Sequence, residues 1–265
     1  MIKKLRAMLI GLGKRKRFTI AVVTICLYFF IITSLPYDQA LFHVIPLAVL
    51  TYVSVFFGIL EDVERLEWIQ LFILPVYFVV AALFFYYLLP VRLLTRIPFT
   101  IITFVCLYAI FLSENIFNVG VERSLPLYRA AYSVINFIML VVFLMVFTLL
   151  YSFSFNLYMN ALTGTIIVFP LVFHGMWIAN PMEVVEERIW KYAAVLTFLL
   201  GFGILIGSFL PLRTNVYAIL TVAMSYFLIG IAQEIIQETA YRSRVREYIT
   251  VYAVLLVLIT LSIQF

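Results

Sequence analysis

Nine stretches of nearly unbroken apolar sequence run along this chain, over residues 18–35, 40–60, 68–89, 98–118, 129–151, 158–179, 190–210, 214–236 and 248–265, joined by short polar connectors. Each is long enough to cross the hydrocarbon core, which takes roughly 20 apolar residues in helical form. Runs such as Leu199 to Leu210 and Val251 to Leu261 show no alternation of apolar and polar positions. A membrane barrel strand alternates. Backbone groups in lipid must be satisfied within their own segment, so continuous apolar runs predict helices. The pattern predicts an all-α polytopic transmembrane bundle of about nine spans.

Composition agrees. Of 265 residues, 66% are hydrophobic and 12% charged, against about 25% charged in an ordinary soluble domain. The connectors leave no room for a sizeable soluble domain. The expected organisation is a basic N-terminal segment over 1–17 and one transmembrane helical domain over 18–265. The first span is longer than a signal-peptide core, and Thr33-Ser34-Leu35-Pro36 makes a poor cleavage site, so it reads as a retained helix. Cys26 and Cys106 fall mid-span, where cysteine packs as a small apolar residue.

Charge supplies direction. With the N-terminus in the cytoplasm, the inner face receives seven cations before residue 18. It then receives Arg65, Arg123, Arg129, Arg188, Lys191, Arg242, Arg244 and Arg246. That is 15 of the 18 Lys and Arg. Arg92, Arg96 and Arg213 fall outside. Short-loop Lys and Arg stay on the cytoplasmic side, so the bias predicts N-terminus in and C-terminus out. Trp68, Trp177 and Trp190 lie near predicted inner ends, as interfacial anchors would. The Lys3-to-Arg17 run is suited to anionic lipid at the membrane surface.

Against this background the polar residues inside spans stand out. Ser113-Glu114-Asn115-Ile116-Phe117-Asn118 closes the fourth span, and Glu114, Asn115 and Asn118 share one helical face. The following connector contributes Arg129 and the fifth span Asn136. His174 lies near the inner end of the sixth span, and Glu234 in a polar stripe down the eighth. Ionisable groups at membrane depth are costly and face a bundle interior or an aqueous cavity. These seven residues are the candidates for one polar pocket open to the cytoplasm, with Glu114 paired to Arg129 or Arg123. The alternative is a set of helix ends tied together by their own side chains. Gly203 and Gly207, four apart in the seventh span, form a small-xxx-small pattern for close helix packing. Pro46, Pro75 and Pro170 also fall within spans.

Catalytic motifs are not apparent. Gln237-Glu238-Thr239-Ala240-Tyr241-Arg242 looks like the Glu-Glu-x-x-x-Arg motif of CAAX-type intramembrane proteases, but no later histidine follows, which argues against it. His43 and His174 are predicted on opposite sides, so no metal centre is expected. No phosphate loop or dinucleotide fingerprint is present, and no cofactor or nucleic-acid partner is expected.

Glu114-Asn115-Ile116-Phe117-Asn118-Val119, then Arg123, then Leu127-Tyr128-Arg129-Ala130-Ala131 resembles a block in an uncharacterised family of bacterial multi-pass membrane proteins. That family carries only a domain-of-unknown-function label. The resemblance covers roughly 20 residues besides the span pattern. It implies a bacterial inner-membrane setting and no particular activity. The expected roles are a structural or accessory membrane subunit with lipid or membrane-protein partners, or a small-solute or lipid transporter using the inner polar pocket.

Overall fold

The chain is described from a computed structural model over residues 13–59, 68–90, 93–119, 126–153, 155–181, 185–210, 213–238 and 242–262. Among these residues ten helices and no strand are found: α1 (Lys14–Ile32), α2 (Tyr37–Phe42), α3 (Val44–Ile59), α4 (Trp68–Tyr86), α5 (Leu93–Asn118), α6 (Pro126–Ser152), α7 (Leu157–Ala179), α8 (Glu187–Gly207), α9 (Thr214–Ile236) and α10 (Arg242–Ser262). A helix occupies each of the nine predicted stretches. The short α2 precedes the helix of the second.

Among the described residues, fewer helices than the nine expected are long and apolar enough to cross a membrane. Six described helices, α4 to α9, are long and apolar enough. Helices α1 and α3 fall short for separate reasons. The first turn of α1 is Lys14-Arg15-Lys16-Arg17. Only Val44–Gly58 of α3 counts as apolar helix, too short a stretch. Helix α10 has its side chains described over 245–257 alone and is not judged by this measure.

Local chemistry suits helices in an apolar medium. Hydroxyls inside the helices donate back to the carbonyl four residues earlier, as Thr51 does to Leu47, Thr103 to Phe99 and Ser225 to Thr221, each at 2.8 Å. Such back-bonding satisfies a hydroxyl without a partner helix. Pro75, Pro98 and Pro170 lie inside helices. Pro46 is the third residue of α3, where a missing N–H breaks no intrahelical bond.

The chain divides into two units, Met1–Ile138 and Met139–Phe265. In the first, α1 packs against α3 and α5, and α4 against the same two helices. Gly58 permits the α1–α3 approach, because a Cβ there would lie 2.9 Å from the Phe18 ring. Phe18 meets Phe111 of α5 edge-on, with ring centres 6.2 Å apart. At the opposite end of α1 the Tyr87 hydroxyl lies 3.0 Å from the carbonyl oxygens of both Ile32 and Leu35, and donates to carbonyls that a helix end leaves without an intrahelical donor. The helix α5 begins before Pro98, earlier than predicted. Arg96 is accommodated there because its guanidinium reaches the Ser34 hydroxyl at 2.8 Å and lies over the Phe30 ring.

In the second unit, α7 packs against α8, α9 against both, and α10 against α9. Glycines set these approaches. A Cβ on Gly164 would lie 2.6 Å from Ile204. One on Gly201 would collide with Thr165 of α7, and one on Gly203 with Met224 of α9. Large apolar side chains point outward in both units, among them Ile101 and Val105 of α5 and Phe198 and Phe202 of α8.

Candidate functional site

The polar residues selected from the sequence are found in both units. Glu114, Asn115, Asn118, Arg129 and Asn136 belong to the first, His174 and Glu234 to the second.

In the first unit Glu114 is completely buried, and Asn115 and Asn118 are half-buried. The side-chain oxygen of Asn115 and both polar atoms of the Asn118 amide are shielded from solvent and have no hydrogen-bond partner among the described residues. Arg129 is exposed, and Arg123 lies outside the described residues. The Asn136 amide donates to the Tyr132 carbonyl of its own helix at 2.9 Å. A residue not selected from the sequence joins this group. Arg17, the last cation of the N-terminal run, is completely buried. It adjoins Phe18, whose ring meets Phe111, and Glu114 follows Phe111 by one helical turn. Arg17 and Glu114 therefore flank the same aromatic contact between α1 and α5. A run of four cations reads as a solvated patch, and nothing in that pattern marks its last member as turning inward.

In the second unit His174 is completely buried and Glu234 nearly so. Beside them the Gln233 amide donates to the Gly175 carbonyl at 2.8 Å, joining α9 to α7 at their level. The space around Gly175 is filled, because a Cβ there would lie 3.1 Å from the end of the Met139 side chain. Gly203 faces Met224, and Gly207 has Tyr217 at ordinary contact distance, 3.9 Å. Both glycines of the small-xxx-small pattern thus face α9 within the unit. Trp177 is buried rather than interfacial, whereas Trp190 is exposed and its ring lies 4.1 Å from that of Phe173. The side chain of Trp68 lies outside the described residues.

The opposite end of this unit holds a feature the sequence did not suggest. A cavity of about 390 Å³ opens where α6 and α8 end and α7 and α9 begin. Five of its seven lining residues carry a hydroxyl or an amide: Tyr151, Asn160, Ser208, Thr214 and Tyr217. Phe155 and Leu157 complete it. The two tyrosine rings stack at 4.9 Å. The Tyr151 hydroxyl is 2.9 Å from Thr221 Oγ1, which in turn donates to the Tyr217 carbonyl. Asn156 caps α7 by accepting from the Met159 amide at 2.9 Å, which fixes the start of that helix. Asn160, in its first turn, donates to the Phe155 carbonyl at 3.3 Å. Tyrosine at a span end is a common interfacial residue. The convergence of these lining residues depends on four helix ends meeting, which one-dimensional periodicity does not show.

Over residues 54–262 the chain matches the family described as protein of unknown function, DUF5656. That match takes in most of the chain, which therefore belongs to this uncharacterised family. No curated protein and no solved structure matches it. The matched region includes all seven polar candidates and the cavity at the end of the second unit, and it excludes Arg17.

Proposed function

We propose that this DUF5656 protein is an integral protein of the cell membrane, in the bacterial inner membrane, and acts as a structural or accessory subunit. In this reading its N-terminus is cytoplasmic and its C-terminus external. The basic segment over 1–17 rests on anionic lipid, and the outward apolar faces meet lipid or a second membrane protein.

One observation carries the accessory role. Among the described residues, the groups around His174 and Glu234 are packed as buried core. Gln233 is spent on the Gly175 carbonyl, Met139 occupies the space beside Gly175, and His174 has no exposed surface. A transport route needs polar groups that water or a solute can reach. The outward faces, by contrast, are rich in large apolar side chains such as Ile101, Val105, Phe198 and Phe202.

A second reading, transport of a small solute or lipid, draws support from the first unit alone. There Glu114 and Arg17 are buried near one end, with the Asn118 amide atoms lacking a hydrogen-bond partner among the described residues.

Two variants in the source organism separate these readings. Membranes are solubilised mildly, the native particle mass is measured, and complementation of a deletion strain is scored. An accessory subunit is expected in a particle of defined mass above that of the monomer. Ile101→Ser with Val105→Ser dissolves that particle and abolishes complementation, while Glu114→Gln leaves both intact. A monomeric wild type whose complementation fails in Glu114→Gln, with folding retained, would overturn the accessory role in favour of transport.

A further inference from the structure

We infer that the cavity at the end of the second unit is a binding site for a neutral, hydroxyl-rich group, a sugar or polyol, whether free or carried as a lipid headgroup. The inference concerns a site apart from the inner polar residues. It holds or fails independently of the accessory role.

Size comes first. About 390 Å³ lies within the roughly 300–1,000 Å³ range of small-molecule sites. At about 30 Å³ of liquid volume per water, the space equals roughly a dozen waters, enough for a ring of monosaccharide size.

Chemistry then narrows the ligand. Among the described residues, the seven that line the cavity include no cation and no carboxylate. Arg213 precedes α9 but its side chain is exposed and does not line the cavity. An anion therefore finds no counter-charge and a cation finds no ligand set. An acyl chain would strand the five polar side chains, and burying such groups unpaired is costly. A hydroxyl-rich group fits, because each hydroxyl both donates and accepts.

The polar groups are set for that exchange. Asn160 is more than nine-tenths buried. Its amide nitrogen is occupied by the Phe155 carbonyl, and its side-chain oxygen is buried with no hydrogen-bond partner among the described residues. A buried acceptor without a partner at the wall of a polar cavity gains a donor from a ligand hydroxyl once the amide turns toward the space. Ser208 uses its proton on the Ile204 carbonyl at 2.8 Å, which leaves its oxygen free to accept. Thr214 adds a hydroxyl at the start of α9. The stacked Tyr151 and Tyr217 supply flat apolar faces for the C–H surface of a ring. Tyr151 is held in place through its hydroxyl contact with Thr221, so that wall is preformed.

The test uses the full chain, purified in a detergent without a sugar headgroup and reconstituted into phosphatidylcholine nanodiscs. Glucose, glycerol and inorganic phosphate are titrated by saturation-transfer NMR. Discs containing a monoglucosyl diacylglycerol are compared with discs containing phosphatidylglycerol by native mass spectrometry. Binding of glucose or glycerol identifies a free ligand, and selective retention of the glucosyl lipid identifies a lipid-borne one. Either result supports the site when it weakens about tenfold in Asn160→Leu, the loss of one buried hydrogen-bond partner. Thr214→Phe, which fills the cavity from its rim, is the second variant. It is expected to abolish binding with the wild-type circular dichroism retained. Absence of binding by every neutral probe overturns the inference, as does binding unchanged in the correctly folded variants or a preference for phosphate or phosphatidylglycerol.

Discussion

The side-chain nitrogen of Gln233 lies 2.8 Å from the backbone carbonyl oxygen of Gly175, a bond between two helices 58 residues apart. Both ends are buried, so nothing in bulk solvent competes for them. The Gly175 position itself lies against the end of the Met139 side chain of α6, where a Cβ would be 3.1 Å away. An interhelical bond of this kind fixes rotation as well as distance, and it holds His174 and Glu234 at the level where α7 and α9 meet.

Removing that bond should loosen the second unit measurably. Gln233→Leu keeps the bulk and deletes the donor. Interhelical hydrogen bonds in membrane proteins contribute about 0.6 kcal/mol on average and up to roughly 1.7. The expected loss lies in that range, read by reversible unfolding in bicelles. A variant as stable as wild type would show that the bond contributes nothing.

The three glycines of α8 should rank by what faces them. Gly201→Ala drives a Cβ into β-branched Thr165, whose hydroxyl already donates to the Ala161 carbonyl at 2.6 Å. A loss of about 1–3 kcal/mol is expected, the usual cost of overpacking. Gly203→Ala meets the thioether end of Met224, which can move aside, so its cost should be smaller. Gly207→Ala places its Cβ 3.9 Å from Tyr217 and should be tolerated. Thermal midpoints in one detergent would settle the order, and an inverted order would refute the packing described.

Tyr87→Phe removes the hydroxyl shared between the Ile32 and Leu35 carbonyls. The expected cost is about 0.5–1.5 kcal/mol. A pH signature accompanies it. Burial first, and then the neighbouring Tyr86, push the Tyr87 phenol above its usual 10.0, while Arg96 pulls the other way and is outweighed. The fold thus favours the neutral phenol. Its contribution is complete below pH 10 and is lost as pH rises through the raised folded value. Stability of the wild type should fall over that alkaline range more steeply than that of Tyr87→Phe, and parallel profiles would disprove the assignment.

Glu238 follows the end of α9 with φ of 58°, in the left-handed region that glycine occupies at little cost. A side chain there costs about 1–2 kcal/mol. Glu238→Gly should stabilise the protein by up to about that amount, with the gain visible as a higher thermal midpoint. Unchanged or lower stability would indicate that the glutamate has a compensating contact.

Orientation is open to direct labelling. In a background lacking Cys26 and Cys106, single cysteines at the exposed positions Asp38 and Arg188 should react from opposite sides of sealed membrane vesicles, Asp38 from the external face. Reaction of both from one side would refute the proposed topology.

Much of the helical outline was legible in the sequence because a lipid-crossing helix writes itself as a continuous apolar run. The stretches predicted at 158–179 and 214–236 became Leu157–Ala179 and Thr214–Ile236. Boundaries slipped where charge met helix. Arg17 and Arg96 were placed outside spans, yet α1 and α5 take them in, because a guanidinium on a long stem finds partners that its position in sequence does not reveal. The candidate site was legible only in part. Glu114 and His174 are buried as their chemistry demanded, but one belongs to each unit, and depth alone does not say which helices are neighbours. The cavity around Asn160 escaped notice because its residues are ordinary one by one and unusual only as a group.

Buried Arg17 also bears on the order in which this protein is made. Helix α1 carries a guanidinium that ends completely enclosed, and the helices packed against α1 are α3 and α5, the latter finished only at Asn118. Until about a hundred further residues have been synthesised, no such enclosure exists, and the cation must stay at the headgroup level. Helix α1 thus settles to its final depth late, when α5 arrives. In the proposed membrane setting, insertion of the first unit would then be a collective event rather than a sequence of independent crossings.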